Sequence, residues 1–157
     1  YRAAVEQVEY TNLAASPTDG TRSVAVTLQD ADYLPETGHF YRYISKSGIT
    51  WTDAKKEAES EEMKYNGLHG YLATITSKAE NDFIRDKVTG FGWIGASDTV
   101  VEGDWRWVTG PEAGTLFWRG QSNGQRINNQ YSFWSTGEPN NSYPQSNGGL
   151  GACRTLE

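Results

Sequence analysis

The chain has 157 residues, with 20 acidic against 14 basic side chains, a formal net charge of −6 and a pI near 4.9. Such a length allows one domain with a packed core, or one domain together with part of a neighbour. Because the chain is acidic, carries no Lys/Arg cluster and has no apolar run of membrane-spanning length, we expect it neither to bind nucleic acid nor to insert into a membrane. Its single cysteine, Cys153, cannot form an internal disulfide bond.

The N-terminal part of the chain shows the pattern of a β-hairpin. Apolar and polar residues alternate over residues 5–10 and again over residues 23–28, with turn-forming residues between them. Asp, Pro and Gly interrupt the pattern at residues 30–38, which predicts a boundary between a β-strand segment at 1–36 and a domain at 37–157. Residues 1–36 weakly resemble the last strands of immunoglobulin-like or cadherin-like repeats in bacterial surface adhesins, which would place them outside the main core. The alternative is an N-terminal hairpin packed on the main domain.

Two capping signatures in the following domain predict two helices. Thr50 stands three residues before Asp53, and Ser77 stands three residues before Glu80. In both cases the hydroxyl can accept the backbone N–H of the acidic residue and satisfy a donor of the first helical turn. Apolar residues then recur at helical spacing. The predicted helices lie near residues 51–62 and 78–88.

Short strands and a long loop complete the predicted α+β pattern. Residues rich in β-branched and aromatic side chains predict strands at 40–44, 71–75, 92–96 and 105–108. Beyond Thr109 the regular periodicity ends. About 40 residues rich in Gly, Asn, Ser and Pro remain, and a segment of that length in a compact domain is more typical of a functional loop than of a passive connection.

Four motifs in this order resemble a C-type lectin-like domain. They are Trp-Thr-Asp-Ala at 51–54, Gly-Tyr-Leu-Ala-Thr-Ile-Thr-Ser at 70–77, Trp-Ile-Gly at 93–95 and Glu-Pro-Asn at 138–140. The chain is most similar to bacterial members of this family that are attached to repetitive surface adhesins. The resemblance implies an α+β fold with two helices, two small antiparallel sheets and a long loop that carries the ligand site.

We assign the tryptophans to packing rather than to sugar binding. Trp93 and Ile94 lie beside Gly95 in a predicted strand, where a glycine permits a close backbone approach. Large aromatic side chains contribute mainly to cores. The same role is expected for Trp51, Trp105, Trp107, Trp118 and Trp134.

The resemblance implies a Ca²⁺-centred carbohydrate site at Glu138 and Asn140. In family members that bind sugar the intervening proline, here Pro139, usually follows a cis peptide bond, which lets both oxygen-bearing side chains point to one side. Carboxylate and amide oxygens are ligands that Ca²⁺ prefers. The order of Glu before Asn is similar to that of members selecting mannose-, glucose- or fucose-like ligands over galactose.

A second, auxiliary Ca²⁺ site is implied at Asp98 and Glu102. These residues have the spacing and position of an acidic pair in family members that hold an additional ion, and Asn141 would lie beside it. The alternative is a solvated turn in which Asp98 accepts hydrogen bonds from nearby backbone N–H groups.

The C-terminal sequence departs from the family pattern. Gly151 and Ala152 stand before Cys153 where an acidic ligand is expected, and the chain contains no Trp-Asn-Asp motif. A principal site with Glu138 and Asn140 alone would hold Ca²⁺ weakly. Either the domain is truncated at its C-terminus, or residues 142–157 take an unfamiliar path in which Asn147 substitutes as a ligand.

A binding module is favoured over an enzyme. His39, His69 and Cys153 are potential catalysts, but no motif pairs a nucleophile with a base. We therefore expect an extracellular or cell-surface module of an adhesin that recognises carbohydrate, and, because it shows no signal peptide, a piece of a longer protein. The main alternative is a lectin fold that binds a protein or another surface ligand without a principal-site Ca²⁺, through the Asn-rich loop at 120–149. A structural spacer is the third alternative.

Overall fold

The computed structural model describes residues 31–140 and 152–154. The strands predicted at 5–10 and 23–28, and the candidate ligands Asn141 and Asn147, lie outside the described residues. The elements, in chain order, are β1 (Asp32–Leu34), β2 (His39–Tyr41), α1 (Trp51–Ala58), a 3₁₀ turn (Glu61–Met63), α2 (Lys78–Arg85), β3 (Phe91–Trp93), β4 (Ala96–Ser97), β5 (Asp104–Trp107), β6 (Leu116–Arg119), β7 (Gln125–Arg126) and β8 (Ala152–Arg154).

The domain begins with an antiparallel hairpin of β1 and β2. Leu34 is buried and stands opposite His39 in the register. The turn needs a positive φ at Gly38, whose N–H donates to the Leu34 carbonyl oxygen at 2.9 Å. Strand β1 is also tied to the rest of the domain by an ion pair between Asp32 and Lys87, with 2.6 Å between Oδ2 and Nζ. Residue 36, where the boundary is predicted, lies in the turn between β1 and β2, and the division into two segments stays a prediction.

Both helices begin where the capping signatures predict. Thr50 Oγ1 accepts the Asp53 N–H at 3.1 Å, and Ser77 Oγ accepts the Glu80 N–H at 3.1 Å. Each helix ends three or four residues before its predicted C-terminus. The reason is a switch to 3₁₀-type bonds, since the N–H of Lys87 donates to the carbonyl oxygen of Ile84.

The strand predicted at residues 71–75 is wrong. This segment has no strand partner. Its carbonyl oxygens accept isolated hydrogen bonds from residues later in the sequence. The Ala73 oxygen accepts the Gly95 N–H at 2.8 Å, and the Leu72 oxygen accepts the Thr109 hydroxyl at 2.7 Å. The sequence is extended but belongs to no ladder.

The main sheet is antiparallel with the order β4-β5-β6-β7. The loss of periodicity beyond Thr109 predicts a loop. Strands β6 and β7 lie in that part of the chain, so the prediction is wrong for their residues. A separate ladder joins β3 to β8 and pairs Gly92 with Cys153. The α+β fold with two helices and small antiparallel sheets is confirmed.

The core lies against the main sheet and is built from aromatic side chains. Trp107 stacks on Phe117 with 4.3 Å between ring centroids, and Trp105 meets Trp134 edge to face at 5.1 Å. Trp51 uses its indole N–H to bond the Ile94 carbonyl oxygen at 2.8 Å. The buried members of this core are Ile75, Ile94, Ala96, Trp105, Trp107 and Phe117.

Candidate functional site

The Glu-Pro-Asn segment forms a tight turn beside the core. The Glu138–Pro139 peptide bond is cis, and the Glu138 N–H donates to the Ser135 carbonyl oxygen at 2.9 Å. Gly137 precedes the turn with a φ of 86°, a conformation that glycine adopts without strain. The turn therefore reverses the chain between Ser135 and Asn140.

This turn brings together the two side chains predicted as principal ligands. Glu138 Oε1 accepts Asn140 Nδ2 at 2.6 Å, and Glu138 Oε2 accepts the backbone N–H of Asn140 at 3.0 Å. Both side chains are partly buried. The carboxylate and the carboxamide thus lie side by side, where both can act as hard oxygen ligands and as hydrogen-bonding groups for a polar ligand.

The root of the loop is anchored in the aromatic core. Trp134 packs against Trp105, Phe117 and Trp118. Arg126 on β7 donates from Nη2 to the Ser132 carbonyl oxygen at 2.8 Å and from Nε to Ser132 Oγ at 3.2 Å. The chain that leads into Glu138 is consequently positioned by packed and hydrogen-bonded residues.

The predicted auxiliary ligands engage different protein groups. Asp98 is 6% exposed, and its Oδ2 accepts the Gly103 N–H at 3.2 Å across the turn after β4. Glu102 is exposed, and its Oε1 lies 3.5 Å from Gln121 Nε2. The hydrogen bond to Gly103 is the role that the solvated-turn alternative assigns to Asp98.

The described residues supply only part of the ligand set that Ca²⁺ requires. Ca²⁺ takes about six to eight oxygen ligands. Within residues 31–140 and 152–154, no group of three or more His, Cys, Asp and Glu side chains could hold a metal ion. Glu138 and Asn140 fit such an ion as two of its ligands, and the remaining oxygens must come from water, from the sugar or from residues outside the described part of the chain.

One exposed aromatic residue that lines the same cavity as Glu138 and Asn140 was not predicted from the sequence. Phe133 is 52% exposed and lines the same cavity as Glu138, Asn140 and Pro111. The signal that could have identified it is a large apolar residue in a polar loop, immediately before a tryptophan that packs in the core. Phe133 adds an apolar surface to the cavity that the polar pair also lines.

Among the described residues, neither histidine is paired with a catalytic nucleophile. His39 Nδ1 lies 3.3 Å from the Tyr71 hydroxyl, and His69 is exposed directly after Leu68. Burial, together with the charge of Glu112, raises the pKa of Tyr71 to about 12. Tyr71 therefore stays protonated at neutral pH and serves as a neutral hydrogen-bonding partner for His39.

The comparisons with known proteins decide the family. The family model for the lectin C-type domain matches residues 47–156, well over half of the chain. The chain belongs to the C-type lectin domain family. The membership predicted from the motifs is thereby confirmed.

Several C-type lectin relatives are similar to this domain over part of their length. Halomucin of Haloquadratum walsbyi is 50% identical over 107 residues, covering 68% of this chain and 1% of that protein. Perlucin-like protein of Mytilus galloprovincialis is 32% identical over 106 residues, covering 63% of this chain and 53% of that protein. Hepatic lectin of Gallus gallus is 37% identical over 101 residues, covering 63% of this chain and 38% of that protein.

The chain thus spans from a small fraction to about half of these relatives. No solved structure matches it. None of the helices in the described part of this lectin domain is long and apolar enough to span a membrane.

Proposed function

We propose that this C-type lectin domain is an extracellular, non-enzymatic module that binds carbohydrate with the help of Ca²⁺ through Glu138 and Asn140. The observation that carries the proposal is the contact between the two side chains, with 2.6 Å between Glu138 Oε1 and Asn140 Nδ2. Family membership supports the carbohydrate ligand. Hepatic lectin, one of its relatives, is by name a lectin.

The two side chains have complementary roles toward a sugar. Glu138 accepts a hydrogen bond from one hydroxyl, and Asn140 donates one to the neighbouring hydroxyl. A bound Ca²⁺ would supply direct coordination of the same two hydroxyl oxygens. Because Asn140 Nδ2 donates to Glu138 in the structure, a sugar must compete with this internal hydrogen bond.

The proposed ligand class is mannose-, glucose- or fucose-like sugar. The carboxylate precedes the carboxamide along the turn, and the two side chains contact each other. A sugar with two adjacent equatorial hydroxyls can meet an acceptor and a donor in that order. We further propose that the domain belongs to an adhesin that acts at the cell surface.

The proposal is tested on a glycan array with Ca²⁺ and with chelator. Glu138→Gln keeps the size of the side chain but removes its charge, and should weaken Ca²⁺-dependent binding about tenfold or more, because hydrogen bonds to charged groups are worth about 1.5–3 kcal/mol. Glu36→Gln, in the exposed turn between β1 and β2, is the matched control and should leave binding unchanged. Binding that chelator does not reduce would contradict the proposed role of Ca²⁺.

A protein or other surface ligand bound without Ca²⁺ is the second candidate. It is favoured by the exposed ring of Phe133, which lines the same cavity as Glu138 and Asn140. Aromatic side chains are enriched in protein interfaces. Clear binding to a protein surface without any glycan signal would select this candidate.

A further inference from the structure

A small cavity lies where the chain that leads into the Glu-Pro-Asn turn meets the aromatic core. Its walls come from the core, from Asn81 on α2 and from residues 131–134. Its volume is about 20 Å³. Because a water molecule needs about 10–15 Å³ of such space, the cavity has room for one water and is far too small for a sugar.

Trp134, which lines this cavity, carries an unsatisfied hydrogen-bond donor. Its indole Nε1 is buried and donates to no group of residues 31–140 and 152–154. Trp51 and Trp93, in contrast, each donate their indole N–H to a carbonyl oxygen, at 2.8 Å and 2.9 Å. A buried N–H without an acceptor destabilises the folded state, and buried tryptophans normally find a partner for it. The Trp134 N–H therefore requires an acceptor.

Two buried polar side chains line the same cavity. Ser132 and Asn81 are each 7% exposed. Ser132 Oγ accepts Arg126 Nε at 3.2 Å, and its hydroxyl can in addition donate a hydrogen. The Asn81 carboxamide has an acceptor oxygen as well as donor hydrogens. One water could accept from Trp134 and Ser132 and donate to Asn81, which would give it the about three hydrogen bonds typical of a buried water.

The chemistry of these groups suits water better than other small occupants. A metal cation has no lone pair for the Trp134 N–H, and an apolar group would leave this donor unpaired. Water carries both lone pairs and hydrogens. It can therefore satisfy an indole N–H on one side and a carboxamide oxygen on the other.

We propose that this cavity is the site of one structural water, which accepts the Trp134 indole N–H and the Ser132 hydroxyl and donates to the Asn81 carboxamide oxygen. The water joins α2 to the segment that leads into the Glu-Pro-Asn turn. Trp134 stands four residues before Glu138, so the water helps to hold the root of that turn in place. Its site is separate from the proposed sugar site and does not depend on it.

The first test is a crystal structure of the 157-residue chain at a resolution that shows ordered water. A water should lie within about 2.7–3.2 Å of Trp134 Nε1 and within hydrogen-bond distance of Ser132 and Asn81. A dry cavity, a protein oxygen bonded to Nε1 from any part of the chain, or an ion in place of the water would overturn the proposal.

The second test detects the water in solution by NMR. The indole N–H of Trp134 should receive magnetisation from water, with NOE and ROE cross-peaks of opposite sign, as expected for a water that is retained by the protein. The matched control is the half-buried Trp51, whose N–H donates to the Ile94 carbonyl oxygen and should give no such signal. No transfer to Trp134, or the same transfer to both indoles, would contradict the proposal.

The third test asks whether the water connects Trp134 with Asn81. Benzothienylalanine at Trp134 keeps the ring shape but has sulfur in place of the N–H. In this variant Asn81→Ala should shift the midpoint of chemical denaturation less than in the unmodified chain, because the bridge is already broken. The same analogue at Trp93, whose N–H donates to the Ile49 carbonyl oxygen, should leave the effect of Asn81→Ala unchanged.

An equal effect of Asn81→Ala in both analogue-containing chains would show that no water couples Trp134 to Asn81. All three readouts are measured without carbohydrate and without Ca²⁺. Failure of the proposed function would therefore leave them unchanged.

Discussion

At Gly95 the chain passes so close to its neighbours that no side chain fits. A Cβ at this position would overlap Thr109 Oγ1 and lie 2.7 Å from the Leu72 carbonyl oxygen. These same two atoms form the hydrogen bond that joins the extended segment to the main sheet. The close approach explains the glycine of the Trp-Ile-Gly motif. Ile94 is buried in the core, whereas Trp93 is half-buried and donates its indole N–H to the Ile49 carbonyl oxygen.

Replacing Gly95 with alanine should destabilise the domain. The added methyl forces Thr109 or the backbone of Leu72 to move, and overpacking of this kind costs about 1–3 kcal/mol in the free energy of unfolding. Gly92→Ala is the matched control, because its Cβ would meet nothing closer than 3.9 Å. Chemical denaturation of both variants measures the difference. An equal loss of unfolding free energy in both variants would show that the close approach at Gly95 does not cause the destabilisation.

Asp98 and Glu138, two of the three carboxylates predicted as Ca²⁺ ligands, should differ in their contribution to Ca²⁺ binding. Asp98 is 6% exposed and its Oδ2 accepts the Gly103 N–H, so a nearby cation would relieve the cost of its buried charge. Glu138 already accepts two hydrogen bonds from Asn140. We predict that Asp98→Ala removes more Ca²⁺-dependent stabilisation than Glu138→Ala.

Thermal unfolding with Ca²⁺ and with chelator measures this ranking. Only the difference between the two conditions is compared for each variant, because Asp98→Ala also removes the hydrogen bond to Gly103 and lowers the baseline. A larger loss in Glu138→Ala would assign the stronger site to the Glu-Pro-Asn turn.

At the scale of elements, the two helices have similar caps but different surroundings. Helix α2 contains the buried Glu80, whose carboxylate accepts the Tyr41 hydroxyl at 2.6 Å and the Thr76 N–H at 2.7 Å. Burial of Tyr41 and its bond to Glu80 raise the pKa of the Tyr41 hydroxyl, which keeps it protonated as a donor. Helix α1 has no comparable buried group among the described residues.

Loss of the α2 cap should therefore affect the whole domain more than loss of the α1 cap. Ser77→Ala removes the acceptor for the Glu80 N–H and should lower the free energy of unfolding by about 0.5–2 kcal/mol. Thr50→Ala removes the equivalent bond in α1, where we expect mainly local fraying. Denaturation combined with hydrogen exchange distinguishes global from local loss. The same global loss in both variants would refute the distinction.

The features that could be predicted from the sequence are those determined by residues close to one another along the chain. The caps at Thr50 and Ser77 act over three residues, and the contact between Glu138 and Asn140 arises within one turn. The segment at 71–75 was mistaken for a strand because β-propensity describes an extended, half-buried chain and does not reveal whether a partner strand exists. Its partners, Gly95 and Thr109, are distant in sequence.

The same limit applies to the site. Whether Asp98 and Glu102 point to a common ion depends on their contacts with Gly103 and Gln121, which no spacing rule specifies. Strand β6 was missed because Leu-Phe-Trp is an apolar run without polar alternation, although Phe117 is a member of the core. Phe133 was missed because its exposure follows from the packing of the adjacent Trp134.

At the scale of the whole molecule, the proposed sugar site at Glu138 and Asn140 is small, and the chain that leads into it is anchored in the aromatic core through Trp134. Glu138 and Asn140 can contact two neighbouring hydroxyls of one sugar, and such a contact buries little area. Since association carries a large entropic cost, a contact of this size leaves a free energy of binding of about −4 kcal/mol, which corresponds to a dissociation constant of about 1 mM. A single domain would therefore hold a glycan only briefly.

Several copies of the domain held together should bind a glycan surface with a higher apparent affinity than one copy. Fusing the 157-residue chain to a tetrameric coiled coil makes the second and later contacts intramolecular, and the apparent affinity for a mannose-rich surface should increase about 10²-fold or more over the monomer. Surface plasmon resonance with Ca²⁺ measures both forms, and a tetramer with Glu138→Gln is the control that should lose the gain. A monomer that binds with micromolar affinity, and gains nothing on tetramerisation, would indicate a larger interface than two hydroxyls and would favour the protein ligand instead.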